Sequence, residues 1–255
     1  MNKPAVADAT PGKAGQIGIR VRDLALRFHR HVIFENLSFD IEPGQFVALL
    51  GSSGVGKSSL LKIIAGLQSP SAGSVTATDG GPVPGRIAYM GQQDLLYPWL
   101  TLRQNVTLGA RLRGEKPDLD WADHLIERVG LTKRRDALPM MLSGGMRQRA
   151  AIARTLYERK QIVLMDEPFS ALDAITRASV QDLAAELLAD ATALLITHDP
   201  MEACRLGKVL LVLSGGPAKL DAPMVIPGAI PRHQDEPHVV AAQAALLRRF
   251  QELQS

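Results

Sequence analysis

The feature that most constrains the fold of this chain is a glycine-rich stretch of eight residues that begins at Gly51 and reads Gly-Ser-Ser-Gly-Val-Gly-Lys-Ser. It follows a nearly continuous apolar run, 45–50, and precedes a segment, 58–67, whose apolar residues recur at helical spacing. Glycines let a backbone curl until its N–H groups converge on one anion, and the start of a helix directs the positive end of its dipole to the same point. We therefore predict a strand, a phosphate-binding loop and a helix, in that order.

This loop predicts a site for a nucleoside triphosphate. Lys57 is expected to bridge the β- and γ-phosphates, and the Ser58 hydroxyl is expected to be a ligand of Mg²⁺. A Gly- and Ser-rich turn without a ligand is the alternative, and the flanking strand and helix weigh against it. The residues predicted to contact the nucleotide here are Gly51, Ser52, Ser53, Gly54, Val55, Gly56, Lys57, Ser58 and Ser59.

Two adjacent carboxylates, Asp166 and Glu167, follow the apolar run 162–165. Successive side chains of a strand point in opposite directions, so Asp166 is predicted to face Mg²⁺ while Glu167 orients or deprotonates an attacking water. His198 comes just after the apolar run 193–196, and we expect it at the same edge of the sheet, near the γ-phosphate. An ordinary acidic strand exit and a structural histidine are the alternatives for these positions.

The composition places these motifs in a chain of 255 residues with 46% hydrophobic content, enough for one large domain or two small ones. The single cysteine, Cys204, excludes an intrachain disulfide framework. No apolar run approaches the ~20 residues of a membrane helix, and residues 1–15 lack the plan of a signal peptide, so we expect the chain neither to span nor to cross a membrane by itself. Lys and Arg number 29 against 26 Asp and Glu, a mixed surface that gives little support to nucleic-acid binding.

The periodicity along the chain predicts an α/β fold. Alternating apolar residues predict antiparallel strands over 17–41, and the buried strands that alternate with helical segments predict a parallel sheet. Residues 1–15 are predicted to form a flexible arm and 16–230 the main domain. A turn-rich segment is predicted over 69–85, and further helices are predicted over 102–131 (broken at 114–117), 145–159 and 176–188.

Residues 231–255 are predicted to contain a C-terminal amphipathic helix, starting at Pro237. Its apolar positions are Val240, Ala244, Leu247 and Phe250. A lid, a dimer contact and a plain surface helix remain open as roles for it.

The string Leu-Ser-Gly-Gly-Met-Arg-Gln-Arg at 142–149 resembles the signature motif of the ABC ATPases. This resemblance implies a P-loop NTPase of ABC type: a mixed parallel sheet core, an N-terminal antiparallel β-subdomain and a helical subdomain inserted at about 94–158. It also implies a head-to-tail homodimer in which Ser143, Gly144 and Gly145 contact the γ-phosphate of an ATP held by the other subunit. A hydroxyl, glycine N–H groups and a helix start suit that anion.

Further elements of the family pattern occur in the family's order over 17–213. Phe28 matches the aromatic residue that stacks on adenine, and Gln92 matches the glutamine that touches Mg²⁺ and the attacking water. Gln93 is the alternative, but the spacing to Leu-Tyr-Pro at 96–98 favours Gln92. The resemblance assigns Asp173 to the loop that links the two sites of the dimer, and His198 to the switch histidine.

The segment 94–101 combines apolar and aromatic residues with Asp and Pro, which is typical of a docking surface. In the family this segment helps to receive a membrane subunit, so Tyr97 and Trp99 are the candidate contacts; local packing is the alternative. Together with Met146 and the short C-terminus, it resembles the ATPases of nitrate, sulfonate, taurine and thiamine-precursor importers. That likeness implies two membrane permease subunits, a periplasmic solute-binding protein and a peripheral position on the cytoplasmic face of the inner membrane.

Two other classes were weighed against this interpretation. A soluble ABC-type ATPase that acts on nucleic acid or in cluster assembly would share every nucleotide motif, but the Tyr97 and Trp99 docking candidates argue against it. A P-loop kinase or GTPase would lack the signature motif. We therefore expect an ATP-hydrolysing transporter subunit, with ATP and Mg²⁺ as cofactors and no nucleic-acid partner.

Overall fold

The computed structural model describes residues 16–252. The predicted arm, 1–15, and the last residues of the predicted C-terminal helix, 253–255, lie outside this range. The strands are β1 (Ile19–Phe28), β2 (His31–Ile41), β3 (Phe46–Gly51), β4 (Ala72–Ala77), β5 (Ile87–Met90), β6 (Ile162–Asp166), β7 (Thr192–Ile196), β8 (Val209–Gly215), β9 (Ala218–Leu220) and β10 (Met224–Val225). The helices are α1 (Lys57–Ile64), α2 (Leu102–Val106), α3 (Leu108–Leu112), α4 (Leu119–Arg128), α5 (Gly144–Tyr157), α6 (Ala174–Leu187), α7 (Pro200–Leu206) and α8 (Pro237–Glu252).

The strands form one mixed sheet in the order β4-β1-β2-β9-β8-β3-β7-β6-β5, with β10 paired to β8. Strands β8, β3, β7, β6 and β5 are parallel to one another, while β4, β1 and β2 are antiparallel. The predicted α/β fold, with a parallel core and an antiparallel N-terminal part, is confirmed. Within residues 16–252, no helix is both long enough and apolar enough to cross a membrane.

The parallel strands are buried on both faces, as their continuous apolar runs require. Every residue of β6 and β7 is buried. Alternate residues of β6 join different cores: Val163 and Met165 pack with the helices α5 and α6, while Ile162 and Leu164 pack with α1 and the antiparallel strands. The two faces of the sheet therefore fix this strand from both sides.

Three elements escaped the sequence analysis. Strand β4 lies inside the segment predicted to be turn-rich, because its Gly, Ser and Thr residues take a strand conformation only through pairing with β1. Helix α7 is only seven residues long and begins at a proline, with Asp199 as its N-cap. Strand β8 was not predicted either, although it pairs with β3 in the middle of the sheet.

The predicted apolar face of the C-terminal helix was wrong by one position. Val239 and Leu246 are fully buried, whereas Val240 and Leu247 are 48% and 45% exposed. The buried positions pack against Ala48 and Leu50 of β3 and against α7, so the tertiary partner selects the face. Phe250 packs against this cluster as predicted, together with Ala242.

The chain between β10 and α8 is held by one buried arginine. Arg232 is 1% exposed, and its guanidinium donates to backbone carbonyls of two separate segments, 204–207 and 226–228. The acceptors are the carbonyl oxygens of Cys204, Gly207, Ile226, Pro227 and Gly228. Because two of them end α7, the side chain satisfies groups that the short helix leaves without a partner.

We expect Arg232→Met to lower the free energy of unfolding by about 3 kcal/mol, because it would leave several buried carbonyls without donors. Urea denaturation followed by circular dichroism measures this change. Arg248→Met, on the exposed face of the neighbouring helix α8, is the matched control and should change stability by less than about 0.5 kcal/mol. Equal effects of the two substitutions would contradict the structural role of Arg232.

Candidate functional site

The glycine-rich loop joins the end of β3 to the start of α1, and two of its glycines have no substitute. A Cβ at Gly51 would lie 2.3 Å from the carbonyl oxygen of Leu213 in the neighbouring strand. Gly56 has a φ of +107°, and a Cβ there would lie 2.6 Å from Ile33 of β2. The tight curl of the loop therefore depends on both residues.

An open cavity of about 300 Å³ lies over this loop. It gathers residues from three separate segments of the chain: the loop and α1, the end of β5, and the end of β6. The residues that line it are Ser53, Gly54, Gly56, Lys57, Ser58, Ser59, Gln92 and Glu167. Of the other residues predicted for the loop, Val55 turns its side chain into the core, and Gly51 and Ser52 supply carbonyl groups to Lys57.

Lys57 brings the positive charge of this cavity. Its side chain is 7% exposed, and Nζ donates to the carbonyl oxygens of Gly51 and Ser52, both at 2.8 Å. Burial lowers the pKa of Lys57, and the charges of Glu167 and Asp166 oppose that shift. The ammonium group is thus hydrogen-bonded to the backbone of the glycine-rich loop itself.

Asp166 ends β6 behind the cavity and is 3% exposed. Burial raises the pKa of its carboxyl group, a hydrogen bond with the Ser58 hydroxyl opposes this, and the charge of Glu167 adds to the rise. A divalent cation would relieve the crowding of these two carboxylates.

The residues present fit Mg²⁺. Ser58, Asp166 and Gln92 offer oxygen atoms, which Mg²⁺ prefers. Among residues 16–252 no group of three or more His, Cys, Asp or Glu side chains converges on a common point for a metal. Phosphate oxygens and water would have to supply the remaining ligands, which is how Mg²⁺ binds in nucleotide sites.

Glu167 and His198 meet at the ends of neighbouring strands. Glu167 has a φ of +50°, an uncommon conformation for this residue type, and its N–H donates to the carbonyl of Ile196 at 2.9 Å. Nδ1 of His198 lies 3.3 Å from Oε2 of Glu167. The imidazole is 64% exposed, so it remains accessible to a bound molecule.

The signature residues lie outside this cavity. Ser143 is the exposed N-cap of α5, and its hydroxyl accepts from the N–H of Met146. A Cβ at Gly145 would lie 3.2 Å from the carbonyl of Ala171, so the signature turn and the loop before α6 are neighbours within one chain. Asp173 is the exposed N-cap of α6, where hydrogen bonds with Thr176 lower the pKa of its carboxyl group.

Phe28 also lies outside the cavity. It ends β1 opposite His31, and its ring is 51% exposed. The structure therefore brings the loop, Gln92 and the acids together, and leaves Phe28, Asp173 and the signature residues on open surface.

The candidate docking segment, 94–101, is more rigid than its sequence indicates. Tyr97 and Trp99 are 42% and 70% exposed, with ring centres 5.4 Å apart and edge-to-face geometry. The buried Asn105 accepts from the N–H of Tyr97 and donates to the carbonyls of Tyr97, Leu100 and Thr101.

Two arginines of α5 hold the other end of this segment. Arg147 donates to the Asp94 carboxylate at 3.0 Å, and Arg154 donates to the carbonyls of Asp94 and Leu95. Sequence reasoning missed Asn105 and both arginines. The one readable sign was the pair Thr101 and Gln104, which form a capping box and mark where the segment ends.

The strand, glycine-rich loop and helix, with paired acids on an adjacent strand, define a P-loop nucleoside triphosphatase. Residues 34–170 match the family model described as ABC transporter. Over 237 residues the chain is 42% identical to an uncharacterized ABC transporter ATP-binding protein of Haemophilus influenzae, covering 91% of this chain and 98% of that protein. It is 40% identical to an aliphatic sulfonates import ATP-binding protein of Rhodococcus jostii, covering 91% and 92%.

Solved structures agree with these sequence relationships. The fold matches a dimeric ATP-binding cassette in a post-hydrolysis state bound to ADP and Pi, with a TM-score of 0.74 and 27% identity over 82% of this chain and 99% of that one. It also matches an ATP-binding subunit of an ABC transporter, with a TM-score of 0.77 and 25% identity over 93% and 99%. The chain belongs to the ABC transporter family as an ATP-hydrolysing component.

We expect Lys57→Ala to weaken ATP binding by at least about tenfold, because it removes the ammonium group buried under the loop. Titration with a fluorescent ATP analogue measures the Kd. Lys62→Ala removes an exposed lysine from the same helix and is the matched control, expected to leave the Kd unchanged. An unaltered Kd in Lys57→Ala would remove this residue from the phosphate site.

Proposed function

We propose that this chain is the ATPase subunit of a bacterial importer, that it works as a head-to-tail homodimer, and that it drives a separate membrane permease. The observation that carries the proposal is the cavity that gathers Lys57, Ser58, Gln92 and Glu167 beside the buried Asp166. The permease and the import direction are supported by relatives named as aliphatic sulfonates import ATP-binding proteins. Aliphatic sulfonates are accordingly the solute class that we favour over nitrate and pyrimidines.

The proposed dimer is supported by predicted nucleotide-contacting residues that lie away from the cavity of their own chain. Ser143, Gly144 and Asp173 lie on open surface away from the cavity, and Ile175 beside them is 86% exposed. In the proposed dimer the Ser143 to Gly145 turn of one chain faces the γ-phosphate over the loop of the other, so ATP lies between the two chains.

Within each site the residues take distinct roles. The N–H groups of the loop and Lys57 bind the phosphates, and Phe28 stacks on the adenine. Glu167 accepts a hydrogen bond from the attacking water and takes its proton, while His198 orients Glu167 and contacts the γ-phosphate. Mg²⁺, held by Ser58, Asp166 and Gln92, would supply charge neutralisation at the phosphates when bound.

The permease is proposed to dock on the exposed segment that carries Tyr97 and Trp99. Asn105, Arg147 and Arg154 hold this segment, and the two arginines connect it to α5. The likeness to import ATP-binding proteins further supports a peripheral position on the cytoplasmic face of the membrane, and a periplasmic solute-binding protein on the other side. It also disfavours the alternative of a soluble ATPase without a permease, for which the exposed Tyr97 and Trp99 have no use.

We expect Glu167→Gln to bind ATP with near-normal affinity but to hydrolyse it at least about 100-fold more slowly, because the amide cannot accept the proton of water. The same variant should accumulate as a dimer when ATP is present. Phosphate release and size-exclusion chromatography measure the two effects. Near-normal turnover in this variant would exclude Glu167 as the base.

We expect co-expressed permease subunits to stimulate ATP turnover, and Trp99→Ala to remove most of the stimulation without changing basal turnover, since Trp99 is 70% exposed and outside the cavity. Leu112→Ala, another large exposed apolar residue of the same region at 74% exposure, is the control for general loss of surface hydrophobicity. Turnover that ignores the permease but disappears in Glu167→Gln would favour the soluble ATPase.

A further inference from the structure

A second polar cluster lies beside His198 and Glu167. It surrounds a small cavity of about 40 Å³, a volume that can hold at least one water molecule. The lining residues used below are Glu167, Arg177, Thr197, His198, Asp199 and Glu202. The proposed catalytic base and a buried carboxyl group that the mechanism does not use therefore face one internal space.

Glu202 lies in the first turn of α7 and is 5% exposed. Its Oε2 accepts from Nε2 of Gln181 at 3.0 Å, and its carboxyl group is also hydrogen-bonded to the Thr197 hydroxyl. The same hydroxyl oxygen accepts from the N–H of Asp199 at 3.0 Å. These bonds join both neighbours of His198 to the Glu202 carboxyl group.

The partner of Glu202 extends the network to α6. Gln181 is 3% exposed, and its Oε1 accepts from Nη1 of Arg205. Arg205 also donates to the Asp182 carboxylate at 2.7 Å, so one amide side chain joins α6 to α7. Helix α6 begins at the loop of Asp173, which we propose to lie at the dimer interface. The network therefore connects that loop with the turn of His198.

The Glu202 carboxyl group is also electrostatically unusual. Burial raises its pKa to about 7, the charge of Asp199 adds to this, and the hydrogen bonds of Thr197 and Gln181 and the charge of Arg177 oppose it. The titratable and charged groups that face it from the surrounding elements are Glu167 after β6, His198 and Asp199 after β7, Arg177 on α6, and Arg205 with Asp182 beyond Gln181. Ionisation of Glu202 therefore adds a negative charge beside Glu167 and Asp199.

We propose that Glu202 is a positioning residue for ATP hydrolysis: through Thr197 and Gln181 it sets the turn of His198 relative to α6. This inference rests on the role proposed above for His198. The uncharged carboxyl group keeps the turn in place, because it bonds Thr197 and Gln181 without repelling the neighbouring carboxylates. Deprotonation adds a negative charge beside Glu167 and Asp199, and we expect this repulsion to outweigh the stronger hydrogen bonds that Thr197 and Gln181 donate to the ionised group and so to shift the turn of His198.

The sign of the effect on stability follows from the raised pKa. Between the usual value of 4.5 and about 7, the folded chain holds a proton on Glu202 that the unfolded chain has lost. Stability from this group is complete below that window and is lost as the pH rises through it. Glutamine has the shape of the protonated acid and no charge. The Glu202→Gln variant should therefore not lose stability as the pH rises through this window.

The experiment compares Glu202→Ala, Glu202→Gln and the control Glu186→Gln, which removes an exposed carboxylate of α6, in the full chain. We expect Glu202→Ala to lower kcat for ATP on the order of tenfold with KM unchanged, since misplacing the turn affects the reaction and not the phosphate loop. Glu202→Gln should keep kcat, and the ratio of its turnover to that of wild type should rise as the pH passes through about 7. Glu186→Gln should match wild type.

Thermal denaturation tests the role of the same residue without a measurement of ATP turnover. The Tm of Glu202→Gln should equal that of wild type at about pH 5 and exceed it by about 4 °C at about pH 8.5. If Glu202→Ala does not fold, Thr197→Val, which removes the linking hydroxyl, replaces it and should show the same loss of kcat. A pH-independent Tm difference, equal losses in the Ala and Gln variants, or a changed KM would overturn the inference.

The turnover measurements and the thermal denaturation together distinguish a failure of this inference from a failure of the proposed function. Normal ATP turnover in Glu202→Ala, with turnover still abolished in Glu167→Gln, would reject the positioning role and leave the ATPase site intact. Unaffected turnover in Glu167→Gln would reject the proposed base, while thermal denaturation would still decide whether Glu202 titrates as a buried group.

Discussion

The parallel register of three strands is the constraint on which the rest of this structure depends. Leu49 of β3 pairs with Ile196 of β7, which pairs in turn with Asp166 of β6. Because the strands run in the same direction, whatever follows each of them emerges at one edge of the sheet. The phosphate loop, the paired acids and the turn of His198 are therefore neighbours, although Lys57 and His198 are 141 residues apart in the chain. A slip of one residue in β6 would turn Asp166 away from Ser58.

The same edge concentrates negative charge, and this explains the electrostatics of the site. Asp166 is buried and has a raised pKa, and Glu167 follows it directly. The positive charge of Lys57 makes the cavity suitable for an anion. The carboxylates of Asp166 and Glu167 beside it are suitable for a cation. A triphosphate with Mg²⁺ satisfies both demands at once, which neither ion does alone. The site is thus matched to the pair rather than to phosphate in general.

Much of the fold could be predicted because its signals are local. The glycine-rich loop, the apolar runs of β3, β6 and β7, and the adjacent acids are all contiguous in sequence, and each is flanked by an element of the expected type. The assignments to Phe28, Ser143 and Asp173 stay predictions, because Phe28 is proposed to contact adenine, and Ser143 and Asp173 a second chain. Strand β4, the buried face of α8 and the contacts of Glu202 could not be predicted, since each is decided by a residue distant in sequence. Val239 and Val240 are chemically identical, and the positions of β3 and α7 decide which is buried.

Helix α5 joins the separate parts of the molecule. Its N-terminus carries Ser143, its first turns place Gln148, and Arg154 lies near its other end, about 16 Å along the axis from Ser143. Gln148 donates to the carbonyl of Pro168 at 2.8 Å, next to Glu167, and Arg154 donates to the carbonyls of Asp94 and Leu95. Hydrogen bonds from one helix thus reach both the proposed docking segment and the backbone beside Glu167, and the same helix begins at the signature turn. In the proposed transporter, this helix is the route by which a permease bound at Tyr97 and Trp99 acts on hydrolysis without touching the nucleotide.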